Sequence, residues 1–513
     1  MLIGDITRRN AHRYPAKPAI VCGDVTLTWS ALDERANRIG SYLLGRGLVP
    51  GDRVAVLARN TLEWPEITYG LAKAGLVMVP LNVRSAADEV AYMLDDSGTR
   101  AAIVHVDHAE AFAKVVDGLD VVIGIGTDEL GVDYEVALAT GRDADPTPPT
   151  LDTADVMFFL YTSGTTGRPK AVVQEHRRMW AQVLDTSIVT EARHSDVFLA
   201  LTPFFTAGGV VRTLTWLYLG QTMVIHPRFD PDAALDAIER HRITSTTFIP
   251  TMLQRTLQAI EAGNASDLSS LRRVSYGSAP SAPGLPFEAM ERLGCELQQR
   301  YGLTEVGGQI TILSPADHEA MRAGKAHLVG SAGKETPMAE VRIVGDDGEP
   351  LPSGEVGEIV IRSDAVARGY WNRPEATAEM FRPSGVWSGD IGYLDDEGYL
   401  YVVGRKTDMI ISGGFNVYPA ELERVISEHE GVDLVAVVGV PDAEWGETPV
   451  AVVVAKAGVD AIALEAELRA RCREQLAGYK QPRAFDFRAE LPLGPAGKIL
   501  KRELRDDLAG RQA

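Results

Sequence analysis

A loop rich in glycine and hydroxyl side chains, YTSGTTGRPKA at residues 161–171, is the first segment whose residue types suggest chemistry. Its glycines let backbone N–H groups approach an anion closely, and its lysine adds a positive charge. It lacks the GxxxxGK[ST] order of a P-loop, which disfavours a P-loop kinase. A plain connection without a ligand is the alternative. We predict instead a phosphate-binding loop formed by Thr162, Ser163, Gly164, Thr165, Thr166, Gly167 and Lys170.

Two later segments combine small residues with oxygen-bearing ones. In YGLTEVGG, residues 301–308, Thr304 could bond a phosphate and the carboxylate of Glu305 could hold Mg²⁺. YGSAP, residues 276–280, is a turn small enough for a flat ring to lie against it. Taken singly, each segment is better explained as an ordinary turn, so neither identifies a site by itself.

Two further segments carry charged residues in glycine-rich surroundings. In the segment 388–408, Asp390 offers the carboxylate that commonly accepts hydrogen bonds from ribose hydroxyls, and Arg405 suits ribose or phosphate oxygens. In GPAGKIL, residues 494–500, Lys498 follows a glycine on a loop that could enter a cleft. Most charged side chains are merely solvated, so these three gain meaning only in combination.

The segments that would position these residues alternate between strand and helix patterns. Strand, helix and strand with short links form βαβ units, and such units favour a parallel sheet. A hydrophobic strand runs straight into the phosphate loop. The pattern predicts strands over 53–60, 76–82, 101–106 and 155–164, helices over 63–75 and 86–98, and a helix followed by a strand over 232–250.

The sequence pattern changes after about residue 340, where short β segments are separated by Asp-Gly and Ser-Gly turns. The pattern of the C-terminal residues predicts a small, separate group of helices and strands of the α+β type. We place the boundary near residues 404–408. The predicted fold class is α/β, with a large N-terminal domain of parallel-rich sheets packed with helices and a small α+β C-terminal domain.

Length, charge and cysteine use limit the classes of protein. A chain of 513 residues exceeds one simple core, so two or more domains are expected. The net charge of −20 argues against a general nucleic-acid binder. Three widely separated cysteines suit a reducing compartment, and no apolar run predicts a membrane span. We therefore predict a cytoplasmic protein.

Together, and in this order, the five segments resemble the acyl-adenylate-forming superfamily, which includes acyl-CoA synthetases, amino-acid-adenylating domains and beetle luciferases. The likeness runs from about residue 7 to 505. It implies an N-terminal domain over residues 1–404, a hinge at 405–408 and a mobile lid domain over 409–513. It also implies an ATP-dependent ligase that uses Mg²⁺ and coenzyme A. The match is carried by YTSGTTGRPKAV, YGLTE, SGDIGYLDDEGYLYVVGRKTDMIISGGFNVYPAELE and PAGKILKREL.

The resemblance also implies a role for each matching residue. The loop of residues 162–170 would hold the β- and γ-phosphates of ATP and then pyrophosphate. Thr304 would contact the α-phosphate, Glu305 would bind Mg²⁺, and Lys498 would bridge the substrate carboxylate and the α-phosphate. The nucleoside contacts would be Asp390 and Arg405 for ribose and Gly277, Ser278, Ala279, Pro280, Tyr301 and Gly302 for adenine. The pantetheine tunnel would be lined by Gly413, Gly414 and Asn416.

The segment LTPFFTAGG, residues 201–209, corresponds to the acyl-binding region of the superfamily. It has no Asp where amino-acid-adenylating relatives bind the substrate ammonium, which disfavours an α-amino acid. Small and aromatic residues predict a hydrophobic carboxylic acid, whether fatty, aryl or alicyclic. Arg255 could reach a second carboxylate, although a solvated arginine is the favoured interpretation. The predicted substrate contacts are Phe205, Thr206, Ala207, Gly208, Tyr276 and Gly308.

Several functions share these motifs. An acyl-CoA ligase is the first hypothesis, and an acyl-AMP ligase that loads a carrier-protein pantetheine or a luciferase-like oxygenase are alternatives. A non-catalytic nucleotide-binding relative is disfavoured because Lys498 and Glu305 are both present, and a homodimer is left open. Three residues depart from the superfamily pattern: Thr206 where His is frequent, Ala171 where Gly is common, and Thr407 where the pivot is usually Asp or Lys.

Overall fold

The computed structural model describes residues 1–148, 150–162, 168–279, 284–442, 444–492 and 499–512. Within these ranges the strands form four sheets, and helices cover or separate them. Parallel pairs dominate the first two sheets and the C-terminal part is α+β, which confirms the predicted fold class. None of the helices in these ranges combines the length and apolar character needed to cross a bilayer.

The α-helices are numbered in chain order. They are α1 (Asp5–Arg13), α2 (Trp29–Gly45), α3 (Glu63–Ala74), α4 (Ala87–Ser97), α5 (Ala109–Phe112), α6 (Tyr134–Thr140), α7 (His176–Val189), α8 (Ala207–Tyr218), α9 (Pro231–His241), α10 (Pro250–Glu261), α11 (Leu285–Leu293), α12 (Pro315–Arg322), α13 (Pro374–Met380), α14 (Pro419–Ser427), α15 (Ala461–Gln475) and α16 (Lys501–Gln512).

The strands are numbered in the same way. They are β1 (Pro18–Cys22), β2 (Val25–Thr28), β3 (Arg53–Leu57), β4 (Val77–Pro80), β5 (Thr99–His105), β6 (Val121–Ile125), β7 (Val132–Asp133), β8 (Val156–Thr162), β9 (Lys170–Glu175), β10 (Val197–Ala200), β11 (Thr222–Ile225), β12 (Ser245–Phe248), β13 (Arg273–Gly277), β14 (Glu296–Leu303), β15 (Gly308–Leu313), β16 (Lys334–Glu335), β17 (Ala339–Val344), β18 (Gly357–Ser363), β19 (Phe381–Arg382), β20 (Gly385–Leu394), β21 (Leu400–Arg405), β22 (Ile410–Ser412), β23 (Phe415–Val417), β24 (Val432–Asp442), β25 (Gly446–Ala455) and β26 (Ala484–Phe487).

The first sheet has the strand order β7-β6-β5-β3-β4-β8-β9 and is parallel except between β8 and β9. Its strand β3 is buried on both faces, since Val54 and Val56 pack in one hydrophobic cluster and Ala55 and Leu57 in another. Burial on both faces is the reason a parallel strand has a continuous apolar sequence. The helices and strands predicted from this pattern are confirmed, with small shifts at their ends. The last two residues of the predicted strand 155–164 lie outside the described part of the chain.

A layer of helices lies between the first sheet and the second, whose strand order is β16-β15-β14-β13-β12-β10-β11-β1-β2. Side chains of α2, α3, α7 and α8 join strand residues of both sheets in one hydrophobic cluster. In that cluster Phe198 of β10 stacks on Trp216 of α8, with ring centroids 4.6 Å apart and planes 7° apart. This stacking fixes α8 against the second sheet.

Strand β9 was not predicted from the sequence. The chain returns after the phosphate loop and pairs antiparallel with β8. Ala171 in β9 is completely buried in a hydrophobic cluster, and its carbonyl oxygen accepts a hydrogen bond of 2.9 Å from the backbone N–H of Trp371. The Cβ at position 171 therefore fills a packed position, which gives a physical reason for alanine there.

The third sheet is antiparallel, in the order β17-β18-β20-β19, with β21 added on β20. The C-terminal sheet has the order β23-β22-β25-β24, with β26 parallel to β25. Helices α14 and α15 cover one face of it through a cluster of their own. A 3₁₀ turn at Lys406–Asp408 joins β21 to β22. The domain boundaries on either side of this turn stay a prediction.

Candidate active site

Strands β20 and β21 place an acid and a base opposite each other. Asp390 and Arg405 are partners in this antiparallel pair, and the Arg405 Nε lies 3.0 Å from Asp390 Oδ1. The other oxygen, Oδ2, accepts a hydrogen bond of 2.6 Å from the hydroxyl of Tyr301. The structure thus brings together three predicted nucleoside contacts from two distant segments.

Burial differs among these three side chains. The Asp390 side chain is 8% exposed and that of Arg405 is 45% exposed, so the acid is fixed while the guanidinium reaches outward. Burial, reinforced by the charge of Asp390, raises the pKa of Tyr301 well above its usual range. Burial tends to lower the pKa of Arg405, but the charge of Asp390 reverses this effect and the pKa is raised. A fixed carboxylate beside an outward cation suits a diol that is attached to phosphates.

A second cluster surrounds Glu305. This residue lies in a 3₁₀ turn, Thr304–Val306, is 8% exposed, and accepts a hydrogen bond of 2.8 Å at Oε1 from the hydroxyl of Tyr370. The Lys170 Nζ lies 5.1 Å from the centroid of the Tyr370 ring. Burial, followed by the charge of Glu305, raises the pKa of Tyr370, so its hydroxyl remains a donor to the carboxylate. The predicted metal ligand and the predicted phosphate-loop lysine therefore share one neighbour.

Tyr370 was missed by the sequence-based prediction. Its segment docks on β9, because the N–H of Val173 donates to the Gly369 carbonyl and that of Trp371 donates to the Ala171 carbonyl, each at 2.9 Å. The only hint of this residue in the sequence was the pair of adjacent aromatic residues in GYW, which lies within a polar segment. Because β9 was not predicted, nothing placed this pair beside Glu305.

The turn that carries Thr304 is held by backbone contacts. Gln174 of β9 donates from Nε2 to the Thr304 carbonyl at 3.0 Å, and the N–H of Ala367 donates to the Glu305 carbonyl at 2.8 Å. A Cβ at Gly302 would lie 1.7 Å from the carbonyl oxygen of Gly308, so only glycine allows this approach of β14 and β15. The scaffold, rather than its own side chain, therefore sets the position of Thr304.

The ends of the predicted phosphate loop are adjacent. Thr162 ends β8, Lys170 begins β9, and the two are cross-strand partners. The Tyr92 hydroxyl donates to the Pro169 carbonyl at 3.1 Å and anchors the returning chain. The remaining predicted loop residues lie outside the described part of the chain: Ser163, Gly164, Thr165, Thr166 and Gly167.

The predicted adenine segment follows β13. Gly277 ends the strand, and Ser278 has a φ of +70°, a backbone region that residues other than glycine rarely adopt. Ser278 is exposed and Ala279 is half-buried, whereas Pro280 lies outside the described residues. Tyr276 is buried, with its hydroxyl 2.8 Å from His318 Nε2, and packs in a cluster with α10 and α11. Its substrate contact stays a prediction.

The predicted acyl-site residues of the segment 201–209 lie at the start of α8. Thr206 is the N-cap of this helix, since its Oγ1 accepts a hydrogen bond of 3.1 Å from the N–H of Gly209. This cap gives the threonine a structural role at the position where His is frequent. A Cβ at Gly308 would lie 3.8 Å from Val211 Cγ2, so Gly308 also faces α8. The half-buried members of this group are Phe205, Thr206, Ala207, Gly208 and Gly308.

The predicted pantetheine contacts lie on the hairpin of β22 and β23. The N–H of Gly413 donates to the Trp445 carbonyl at 2.8 Å. Gly413, Gly414 and Asn416 are all exposed, and their contact with pantetheine stays a prediction. Lys498 lies outside the described residues.

A metal ion would depend on phosphate oxygens as well as protein. Across the described ranges, no group of three or more His, Cys, Asp or Glu side chains could hold a metal by itself. Glu305 offers one carboxylate, of which Tyr370 uses Oε1. Mg²⁺ in phosphate-transfer sites is usually held by one or two carboxylates together with phosphates, so the residues present fit this ion.

Comparisons with known proteins identify the family of this chain. The chain matches the AMP-binding enzyme family over residues 7–371 and the AMP-binding enzyme C-terminal domain over residues 421–498. It is 38% identical over 506 residues to a feruloyl-CoA synthase of Amycolatopsis sp, covering 98% of each chain. It is 36% identical to a fatty acid–[acyl-carrier-protein] ligase of Streptomyces coeruleorubidus, covering 99% of this chain and 96% of that one.

The fold agrees as well. The solved structure of the anthranilate CoA ligase AuaEII with anthranoyl-AMP is 28% identical with a TM-score of 0.90, covering 100% of this chain and 98% of that one. The chain therefore belongs to the AMP-binding enzyme family, that is, to the acyl-adenylate-forming superfamily and its acyl-CoA synthetase branch. The resemblance seen in the five motifs is confirmed, while the roles of individual residues stay predictions.

Proposed function

We propose that this chain activates a carboxylic acid with ATP as an acyl-AMP and then transfers the acyl group to coenzyme A, releasing pyrophosphate and AMP. One observation carries the proposal. The short segment 301–305 joins the cluster of Tyr301, Asp390 and Arg405 to the cluster of Glu305. A nucleoside held at the first cluster would thus have its phosphates near the second.

The chemistry requires positive charge where two anions meet. A carboxylate that attacks the α-phosphate must approach a polyanion, and cations positioned there stabilise the charge that develops. We assign Lys170 to the departing pyrophosphate and Lys498 to the substrate carboxylate and α-phosphate. Mg²⁺, held by Glu305 together with phosphate oxygens, would neutralise phosphate charge when bound.

The acid is proposed to have a hydrophobic body. The start of α8 presents half-buried Phe205 and Ala207. Val211 of the same helix lies against the glycine at position 308. Apolar walls of this kind favour aliphatic, aryl or alicyclic chains through their buried area.

The acyl acceptor has a second candidate. The relative from Streptomyces coeruleorubidus is a fatty acid–[acyl-carrier-protein] ligase, so a carrier-protein pantetheine is the alternative to coenzyme A. Both acceptors present the same thiol, and the exposed hairpin of Gly413 and Gly414 could serve either. Mass spectrometry of the thioester formed with coenzyme A or with a pantetheinylated carrier protein separates the two.

The test is a panel of acids supplied with ATP and Mg²⁺, with pyrophosphate release as the first readout and thioester formation as the second. We expect release with at least one acid and a thioester only when coenzyme A is added. Pyrophosphate without a coenzyme A thioester would contradict the second half of the proposal. Absence of release with every acid would favour a non-catalytic nucleotide-binding relative.

The role of Lys498 is tested by replacing it with alanine. Lys498→Ala should lower acyl-AMP formation by about 100-fold or more, because the cation acts where charge develops in the transition state. Thioester formation from supplied acyl-AMP should fall much less, since that step does not need the same cation. The two half-reactions are measured separately, and equal losses in both would reject the assignment.

A further inference from the structure

Two arginines beside the predicted acyl region have no acidic partner among the residues that the structure describes. Arg212 lies on α8 and Arg300 on β14, directly before Tyr301. Neither forms an ion pair with any described residue, and the Nε of each is buried without a hydrogen-bond partner there. The undescribed positions contain no Asp or Glu, so the sequence cannot supply the missing anion at those places.

Each arginine is nevertheless held in place. The Arg212 Nη1 donates to the Thr202 hydroxyl at 3.1 Å, and the Arg300 Nη2 donates to the Ser275 hydroxyl at 2.7 Å. Both contacts go to neutral groups, so they orient the guanidinium groups without compensating their charges. Each side chain as a whole remains partly accessible, although its Nε atom is buried.

Burial of these two charges is unfavourable, and it lowers the pKa of both guanidinium groups. Burial lowers the pKa of Arg212 to about 10. Burial, followed by the charges of Arg212 and Arg273, lowers the pKa of Arg300 to about 9. Both groups stay protonated at neutral pH, and the charge of Arg212 acts on Arg300. Within the described ranges, no carboxylate forms an ion pair with either of these two like charges. Buried charges are normally paired, because an unpaired one loses its hydration without return.

Neighbouring arginines of the same sheet show the ordinary arrangement. On β13 and just before it, Arg273 is 2.6 Å from Glu296 and Arg272 is 3.1 Å from Asp196. Arg272 and Arg273 are therefore paired with carboxylates of the protein, whereas Arg300 in the same sheet is not paired with any described carboxylate. An anion that is not part of the protein explains the difference.

The position of the pair points to the acid rather than to ATP. A Cβ at Gly208, a predicted acyl contact, would lie 2.9 Å from Arg212 Nη1. Consecutive strand residues point to opposite faces, so Arg300 leaves β14 on the face opposite to Tyr301, which contacts Asp390. The Arg300 face is also that of Gln298, which donates to the Val189 carbonyl at the end of α7. The nucleoside cluster and the arginine pair are thus separated by the strand.

We propose that Arg212 and Arg300 bind a second carboxylate of the substrate, so that the acid activated here is a dicarboxylic acid with an apolar body. This proposal rests on the proposed ligase function and narrows its substrate class. Arginine suits the role because its planar fork of N–H donors matches a carboxylate. Arg255, the residue suggested by the sequence for such a contact, is exposed on α10.

The experiment compares acids that differ only in the second anionic group. Straight-chain diacids of increasing length are each paired with the monoacid and with the half-amide of the same chain, and pyrophosphate release is measured with the full-length enzyme. At least one diacid should exceed both partners in kcat/KM by about tenfold or more, the effect of one charge-assisted contact. Preference for the monoacid at every length would overturn the proposal.

Variants of the two arginines identify the residues responsible. Arg212→Met and Arg300→Met should each lower kcat/KM for the preferred diacid by about 10- to 100-fold and leave that of the monoacid unchanged or higher. The matched control, Arg255→Met, should leave both within about twofold. An unchanged ratio of diacid to monoacid kcat/KM in both the Arg212→Met and Arg300→Met variants, or an equal rise of KM for ATP with every acid, would overturn the assignment.

Thermal unfolding separates binding from a structural role. Replacing an unpaired buried charge with an apolar side chain should keep or raise the Tm of the free enzyme. Addition of the preferred diacid should raise the Tm of the wild type and not that of Arg300→Met. A lower Tm of both variants without ligand would mark the arginines as structural and contradict the proposal.

The ligase function and the dicarboxylate site can be rejected independently of each other. If no acid yields pyrophosphate, the ligase function fails, and a diacid-dependent Tm shift that Arg300→Met abolishes would still support the carboxylate site. If monoacids yield pyrophosphate and diacids neither react nor shift the Tm, the ligase function stands and the dicarboxylate site is rejected.

Discussion

At the scale of single residues, a Tyr–Asp hydrogen bond orients the predicted ribose carboxylate. Tyr301→Phe removes the 2.6 Å bond to Asp390 and leaves the contact with Arg405. A bond to a charged group contributes about 1.5–3 kcal/mol, so we expect KM for ATP to rise about tenfold or more with little change in KM for the acid. Initial-rate kinetics with each substrate varied in turn measure this split.

A matched control and a pH series sharpen this prediction. Tyr399→Phe removes a bond of the same length, 2.6 Å to Asp317, in a different cluster, and should leave KM for ATP unchanged. Because burial and the charge of Asp390 raise the pKa of Tyr301, its hydroxyl stays protonated at pH 9 as at pH 6. The ratio of wild type to variant should therefore be constant between about pH 6 and pH 9. A ratio that falls towards one at alkaline pH would contradict the raised pKa.

The sequence singled out residues that lie in a motif and overlooked residues whose meaning depends on packing, while the roles of both kinds stay predictions. Asp390, Arg405 and Tyr301 were each identified from their segments, and the structure brings them into contact. Arg212 and Arg300 were not identified, because an unpaired buried charge has no local signature. Its meaning depends on which carboxylates the fold places nearby, and that is a property of tertiary structure.

At the scale of elements, the start of α8 depends on one hydroxyl group. Thr206 Oγ1 accepts from the N–H of Gly209, and its loss leaves that donor unsatisfied. Thr206→Ala should weaken the first turn by about 1 kcal/mol, which corresponds to amide exchange about fivefold faster in the peptide that covers the first turn of α8. Hydrogen exchange followed by mass spectrometry measures this change.

A conservative variant tests whether the hydroxyl group is responsible. Thr206→Ser keeps the acceptor and should retain slow exchange in the same peptide, because serine and threonine are both effective N-caps. The peptide that covers α9, which Asp230 caps through the N–H of Ala233, should be unaffected in both variants. Equal exchange in the Ala and Ser variants would show that the cap does not stabilise this helix.

Elements were predictable where their hydrophobic pattern is continuous. The strand-helix alternation from residue 53 onward was found because buried strands and amphipathic helices each repeat their apolar residues with a fixed period. Strand β9 was not found, because the proline and the charged residues before it hide a short apolar run. The contact between Tyr370 and Glu305 depends on β9 as a support, so it could not be predicted either.

At the scale of the whole molecule, the C-terminal sheet has a core of its own. The cluster that contains Leu422, Val437 and Leu468 is formed entirely by residues that follow the 3₁₀ turn. Lys406 lies in that turn and pairs with Glu358 of the third sheet at 3.0 Å. A part with its own core, joined through a short turn, can rotate as a unit when few contacts hold it. We therefore expect the two half-reactions to depend differently on this turn.

Lys406→Pro tests this expectation by restricting one backbone dihedral. Arg405, with φ −104° and ψ 143°, has the extended backbone that a following proline requires, and proline suits the first position of a helical turn. The substitution therefore preserves the conformation of this turn and opposes rotation away from it. The ratio of the rates of acyl-AMP formation and of thioester formation should change by about tenfold or more, since a proline fixes φ near −65°.

Lys406→Ala, which removes the ion pair with Glu358 and leaves the backbone free, should keep the wild-type ratio. If Pro and Ala variants show the same ratio, the two half-reactions do not require rotation at this turn.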